Sequence, residues 1–337
     1  MHQCYCQLET DCICKLNSPD KKMRMRKILL FALLCVVFIT MQAQKIVFTP
    51  QWLPQAQFAG YYVAYDKGFY REAGLYVEIK HPSSSYSAFH RLLDGSSNMI
   101  TQQLVQAMIA IDHGIPMVHV LQTSQQNALL LVNRTDEELT LEGLKDKRVG
   151  VWKVGFGDVF RIMCAEKGIK TQWVPYLDGV NLFVSGAVDA LLTMSYNEYL
   201  QVKVAGFEDK PFIRLCNTEY NFPEDGLYTT PEFKKKYPED VRYFAEASQR
   251  GWEYAREHPE EALDIVMKWM EKENVYTSRI HQQWMLEEVL RLQCGKEEEK
   301  PSFVLEPEKL ERLSDLLLKY GRIYAPVTWE KMKGGKP

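Results

Sequence analysis

Short apolar runs alternate with helically spaced ones from Lys45 onward, and this rhythm constrains the fold more than any other feature of the chain. Ile46-Val47-Phe48 reads as a strand; Phe58, Tyr61, Tyr62, Tyr65 and Phe69 then recur at helical spacing, with Gly68 where a C-terminal cap belongs. Strands are expected at 76–79, 98–101, 117–121 and 128–132, and helices at 88–93 and 104–111. The rhythm restarts after an acidic break at Asp136-Glu137-Glu138. Strands at 148–151, 171–174, 190–193 and 212–215 then alternate with helices at 156–166, 180–184 and 196–204. Two consecutive α/β units predict two lobes, each a mostly parallel sheet with helices on both faces. From Pro231 the chain is helical, with three amphipathic faces centred on Phe244 and Trp252, on Leu263 and Val266, and on Leu313 and Leu317. This tail is expected to buttress the first lobe.

Composition is ordinary for a globular protein: 337 residues, 46% hydrophobic, 25% charged and a formal net charge of -3. Without a positive field or a basic run in the body of the chain, nucleic acid is not an expected partner. At the N-terminus, Arg24, Arg26 and Lys27 precede an apolar run over 28–39, followed by Met41-Gln42-Ala43-Gln44. Twelve helical residues reach about 18 Å, short of a ~30 Å hydrocarbon core. The pattern fits a secretory signal over 23–43 cleaved after Ala43, and so a periplasmic protein. A buried core helix and a short membrane anchor are the alternatives. Leu34 before Cys35 is too bulky for a good lipoprotein cleavage site, which disfavours a lipid anchor. Residues 1–22 read as an extension ahead of the true start; their Cys4, Cys6, Cys12 and Cys14 otherwise suggest a thiolate metal site. Cys164, Cys216 and Cys294 form neither a disulfide framework nor a ligand cluster by spacing.

The stretch Gln51-Trp52-Leu53-Pro54-Gln55-Ala56-Gln57-Phe58-Ala59-Gly60-Tyr61-Tyr62-Val63-Ala64, with Lys67-Gly68-Phe69-Tyr70, resembles the opening of the thiamine-pyrimidine family of solute-binding proteins. Leu144-Lys145-Asp146-Lys147 and Ser185-Gly186-Ala187-Val188-Asp189-Ala190 resemble later elements shared widely among type-II periplasmic receptors. The resemblance covers roughly 45–260. It implies a type-II periplasmic-binding fold, two α/β lobes joined by a two-strand hinge, with a helical C-terminal segment on the first lobe. The expected division is 44–130 with 226–337 for the first lobe and 131–225 for the second. The implied function is capture of a small ligand, above all an aminopyrimidine thiamine precursor, for an ABC transporter permease. A receptor for an alkylsulfonate or another small acid, and a synthase that consumes pyridoxal phosphate, are the alternatives.

Ligands in open α/β sheets sit where strands end and helices begin. Trp52, Tyr61 and Tyr62 lie at such a junction and are candidates to wall a flat heterocycle, whereas Tyr65 and Phe69 read as core. Glu198, with Asn197, follows the 190–193 strand, at the place where the family resemblance implies an Asn and a Glu that read an aminopyrimidine edge. A glutamate in the first turn of a helix is also stabilising by itself. Gly155 and Gly157 allow close backbone approach at another junction, although Asp158 argues against a strongly anionic ligand. Ser84 and Gln102 are polar residues at further junctions that either face the cleft or cap helices. No catalytic group, metal or cofactor is expected. The synthase branch carries a lysine and a histidine four residues apart and a cysteine-rich iron site, where this chain has Thr101-Gln102-Gln103-Leu104-Val105-Gln106 and Met194-Ser195-Tyr196.

Overall fold

The structure, a computed structural model, describes residues 45–83, 85–153, 155–295 and 300–334. The expected export signal, the early cysteines and Ser84 lie outside the described residues. Two five-stranded sheets organise the described residues. The first has the order β2-β1-β3-β10-β4, built from β1 (Lys45–Thr49), β2 (Tyr76–Ile79), β3 (Met99–Gln103), β4 (Val118–Gln122) and β10 (Asp225–Thr229). The second repeats the plan as β7-β6-β8-β5-β9, from β5 (Leu129–Asn133), β6 (Arg148–Trp152), β7 (Gln172–Tyr176), β8 (Ala190–Met194) and β9 (Phe212–Arg214). In each sheet four strands run parallel and one, β10 or β5, runs antiparallel between two of them. Each antiparallel strand is reached by a chain that has just left the other sheet. The chain therefore crosses between sheets at 123–128 and again at 215–224.

Local chemistry explains the elements. β3 is buried along its whole length and β6 nearly so, as befits sheets covered on both faces. Four of the C-terminal helices open on a proline, Pro231, Pro238, Pro259 and Pro307, where the missing N–H costs no helical bond. The helix expected over 196–204 is shorter: Glu198–Val202 is α-helical, and Lys203–Phe207 widens into a π turn that is kinked at Gly206, with φ of 89°. The strand β10 has no counterpart in the sequence expectations. Its residues are Asp-Gly-Leu-Tyr-Thr, too polar at the start and too short to stand out.

The core of the first lobe forms where helix 238–257 crosses helix 59–66. A Cβ on Gly251 would lie 2.1 Å from the Gly60 carbonyl oxygen, so the backbones meet because a side chain is missing. The C-terminal segment also reaches the second lobe, at the helix Asp158–Glu166. Arg322 pairs with Asp158 and Lys319 with Glu166, while the backbone N–H groups of Tyr324 and Ala325 donate to Asp112 of the first lobe. The tail thus spans both lobes, because its basic residues find acidic partners on the second. Among the described residues, no helix is long and apolar enough to cross a membrane.

Candidate functional site

The carboxyl ends of parallel strands from both sheets converge on one cleft. Gln51 and Trp52 follow β1, Gln103 ends β3, and Trp152 and Phe156 come from the end of β6. Leu177, Asp178 and Gly179 follow β7, and Tyr196, Asn197 and Glu198 follow β8. The cleft, which opens to solvent on one side, has a cavity of about 130 Å³. Trp52, 43% exposed, meets Phe156 edge-to-face with ring centroids 6.3 Å apart, so an aromatic pair from opposite lobes closes one side. Gln106 Nε2 donates to the Gly155 carbonyl at 3.2 Å, a second contact across the cleft.

Glu198 is the acidic centre of the second-lobe wall and is nearly buried. Its Oε2 accepts the Met194 backbone N–H and its Oε1 accepts Asn197 Nδ2, both at 3.1 Å. Burial pushes its carboxyl above the usual carboxylate range, while backbone donors at Met194 and Glu198 and the side chains of Trp152 and Asn197 pull the other way. The opposite floor is amide-rich. Gln51 and Gln57 each donate to one oxygen of Asp225, at 2.8 and 2.7 Å, and Gln55 donates to Gln57. Burial raises the Asp225 carboxyl as well. Gln51 Oε1 is buried with no partner, an acceptor left over beside the cavity. Among the described residues of the lining, the formal charges are both negative, Asp178 and Glu198.

Of the residues singled out from sequence, Trp52, Asn197 and Glu198 lie together on this cleft. Tyr61 and Tyr62 sit in the core of the first lobe instead. Tyr61 packs edge-to-face on Trp252, and Tyr62 stacks on Trp269 at 5.2 Å with its hydroxyl 2.8 Å from His81 Nε2. Helical periodicity prevails there over the junction position, because two later helices cover that face. Gln102 is buried within β3, paired with Gly226, while its neighbour Gln103 reaches the cavity. Gly155 contacts Gln106 across the lobes, and Gly157 packs under the turn, where a Cβ would come within 2.4 Å of Val151. Asp158 is not a cap; it is buried and bound by Arg322 Nη2 at 2.6 Å from both its oxygens. Gln51, Gln57, Trp152, Phe156, Asp178 and Tyr196 were not anticipated, although Trp152, Asp178 and Tyr196 obey the same strand-end rule that pointed to Asn197. Among the described residues, no group of three or more His, Cys, Asp or Glu side chains is placed to hold a metal ion.

The profile of the family described as "NMT1/THI5 like" matches residues 55–262. The riboflavin-binding protein RibY of Chloroflexus aurantiacus is 22% identical over 243 residues, 67% of this chain and 67% of that protein. The formylaminopyrimidine-binding protein of Halalkalibacterium halodurans is 24% identical over 233 residues, 66% of this chain and 70% of its own. A 4-amino-5-hydroxymethyl-2-methylpyrimidine phosphate synthase of Saccharomyces cerevisiae is 23% identical over 240 residues, again 66% and 70%. Among solved structures, the periplasmic aliphatic sulphonate binding protein SsuA of Escherichia coli superposes with a TM-score of 0.63 at 14% identity, covering 87% of this chain and 99% of that one. The fold is therefore that of the periplasmic binding proteins of ABC import systems.

Proposed function

Since the chain belongs to the NMT1/THI5-like family, we propose that it is an exported solute receptor. In this reading it takes an amine-bearing, single-ring heterocycle, foremost an aminopyrimidine, and delivers it to an ABC permease. The observation that carries this reading is the polarity of the cleft. Its lining charges are negative, its centre is a carboxylate whose oxygens accept, and its remaining polar groups are amides. Such a surface favours donors on the ligand and opposes a sulfonate or phosphate, which a carboxylate in a buried site repels.

Trp52 and Phe156 would cover the ring, and Glu198 would accept from its exocyclic amine. Capture would proceed by bending at the two crossings, 123–128 and 215–224. These are tied to each other where Thr123 N–H and Oγ1–H donate to the Asp225 carbonyl, and where Asn127 N–H donates to Asn221 Oδ1. Ligand binding then shifts the population toward the closed form, which the permease would recognise. The synthase activity of the yeast relatives fits these residues poorly. A phosphate-bearing cofactor would meet Asp178 and Glu198, and the lining offers no lysine to hold it covalently.

A thermal-shift screen of aminopyrimidines, riboflavin, pyridoxal phosphate and small sulfonates tests the assignment. A micromolar ligand at 1 mM should stabilise the protein by roughly 4 kcal/mol. Selective stabilisation by an aminopyrimidine supports the reading; a larger response to a sulfonate or to pyridoxal phosphate sinks it.

A further inference from the structure

Helix 279–292 stands outside both sheets, yet it bonds to residues of both lobes, Asn197 of the cleft lining among them. Ser278 caps it, its Oγ accepting the His281 backbone N–H at 3.1 Å, which fixes the first turn. Gln282 Oε1 accepts the Ala56 backbone N–H at 2.7 Å and anchors the helix to the first lobe. Trp284 Nε1 donates to the Ser195 carbonyl at 2.9 Å and anchors it to the second. One residue before the first of these ties, His281 Nε2 lies 2.8 Å from Asn197 Oδ1.

We propose that His281 is a positioning residue for the ligand, acting through Asn197 to hold Glu198 as an acceptor facing the cleft. The chain of bonds has one consistent polarity when Glu198 is ionised. Met194 can only donate to Oε2, so that oxygen is an acceptor. An ionised Oε1 requires a donor, so the Asn197 amide must turn its Nδ2 toward Glu198. Asn197 Oδ1 then faces His281, which must carry its proton on Nε2. Should His281 take the other tautomer, its bare Nε2 would call for the amide nitrogen, and Asn197 would turn its oxygen against the Glu198 carboxylate. His281 is half-buried at the foot of a helix tied to both lobes, so its orientation is fixed by the scaffold and not by the ligand. Gln201, whose Nε2 is 3.5 Å from Asn197 Oδ1, is too distant to replace it.

The affinity arm rests on the aminopyrimidine reading; a second arm does not. Calorimetric titration of the full chain with 4-amino-5-hydroxymethyl-2-methylpyrimidine is the first. His281→Phe should weaken binding by up to roughly tenfold, the scale of one hydrogen bond between neutral groups. His281→Gln, which restores an N–H donor, should recover most of that loss, and His281→Phe should add nothing in a Glu198→Gln background. Equal losses in the Phe and Gln variants, or wild-type affinity in His281→Phe, would overturn the proposal. Nitrogen-15 NMR of the unliganded protein is the second arm. His281 should be the Nε2–H tautomer in the wild type and a mixture in Asn197→Ala; an Nδ1–H tautomer in the wild type would overturn the proposal. If the pyrimidine fails to bind wild type, the ligand reading falls and the tautomer alone decides the role of His281.

Discussion

Replacing Glu198 with Gln removes one charge and almost no volume, so it isolates the electrostatic part of recognition. The wild-type carboxylate takes one bond from the Met194 N–H and one from Asn197 Nδ2, and a ligand amine would compete there with the further donors at the Glu198 N–H and the Trp152 side chain. A hydrogen bond to a charged acceptor is worth about 1.5–3 kcal/mol, so losing it should weaken an aminopyrimidine roughly 10- to 150-fold. The pH profile sharpens the test. Burial raises the Glu198 carboxyl above its ordinary value of 4.5, so the ionised, accepting form is lost as pH falls through that raised value. Affinity in the wild type should therefore drop on acidification, and Glu198→Gln should lack that part of the drop. The stability contribution runs the other way. An acid with a raised folded-state value holds its proton more tightly when folded, so folding weakens as pH rises from the ordinary value through the raised one and stays weaker above it. Calorimetric titration across acidic to neutral pH reads the affinity, and urea unfolding of the unliganded protein reads the stability. Binding within threefold of wild type at neutral pH, or identical pH profiles for the two proteins, would refute the role given to Glu198.

Trp52→Ala should cost about 0.5–1.5 kcal/mol of ligand affinity, up to roughly tenfold, with little change in melting temperature, because the ring is 43% exposed; fluorescence titration and a melting curve check both halves. Arg322→Ala strands Asp158, whose side chain is 2% exposed, and should destabilise the protein by about 1–3 kcal/mol in urea unfolding, with partial recovery in Arg322→Ala/Asp158→Asn. His81 and His119 are both held neutral by burial, at about 4 against an ordinary 6.5. Unfolding therefore takes up protons between those values, and stability should fall on acidification from pH 6.5 toward 4, with each residue contributing a slope of up to ~1.4 kcal/mol per pH unit. His81→Gln should flatten the slope measured by denaturant unfolding across that range.

The parts of the molecule that were legible in the sequence are those whose signal is local. Parallel strands covered on both faces leave short apolar runs, which is why β6 and β8 stand out by eye. β10 is as central to its sheet as β8, but it opens with Asp225, whose carboxylate is held by two glutamines from 170 or so residues earlier in the chain; about Asp225 itself nothing local speaks of a sheet. The same distance effect separates Trp52 from Tyr61 and Tyr62. All three lie near one strand end, yet Trp252 and Trp269, brought in by the C-terminal helices, take the two tyrosines into the core and leave Trp52 at the cleft. Asn197 and Glu198 were visible because the end of a strand is a rule about position, not partners. What no rule of position reveals is that Asn197 is held by a histidine 84 residues later. The walls of this cleft are written next to its strands, whereas the supports that orient those walls are written in the helical tail, and substitutions in that tail should alter ligand affinity without touching the ligand.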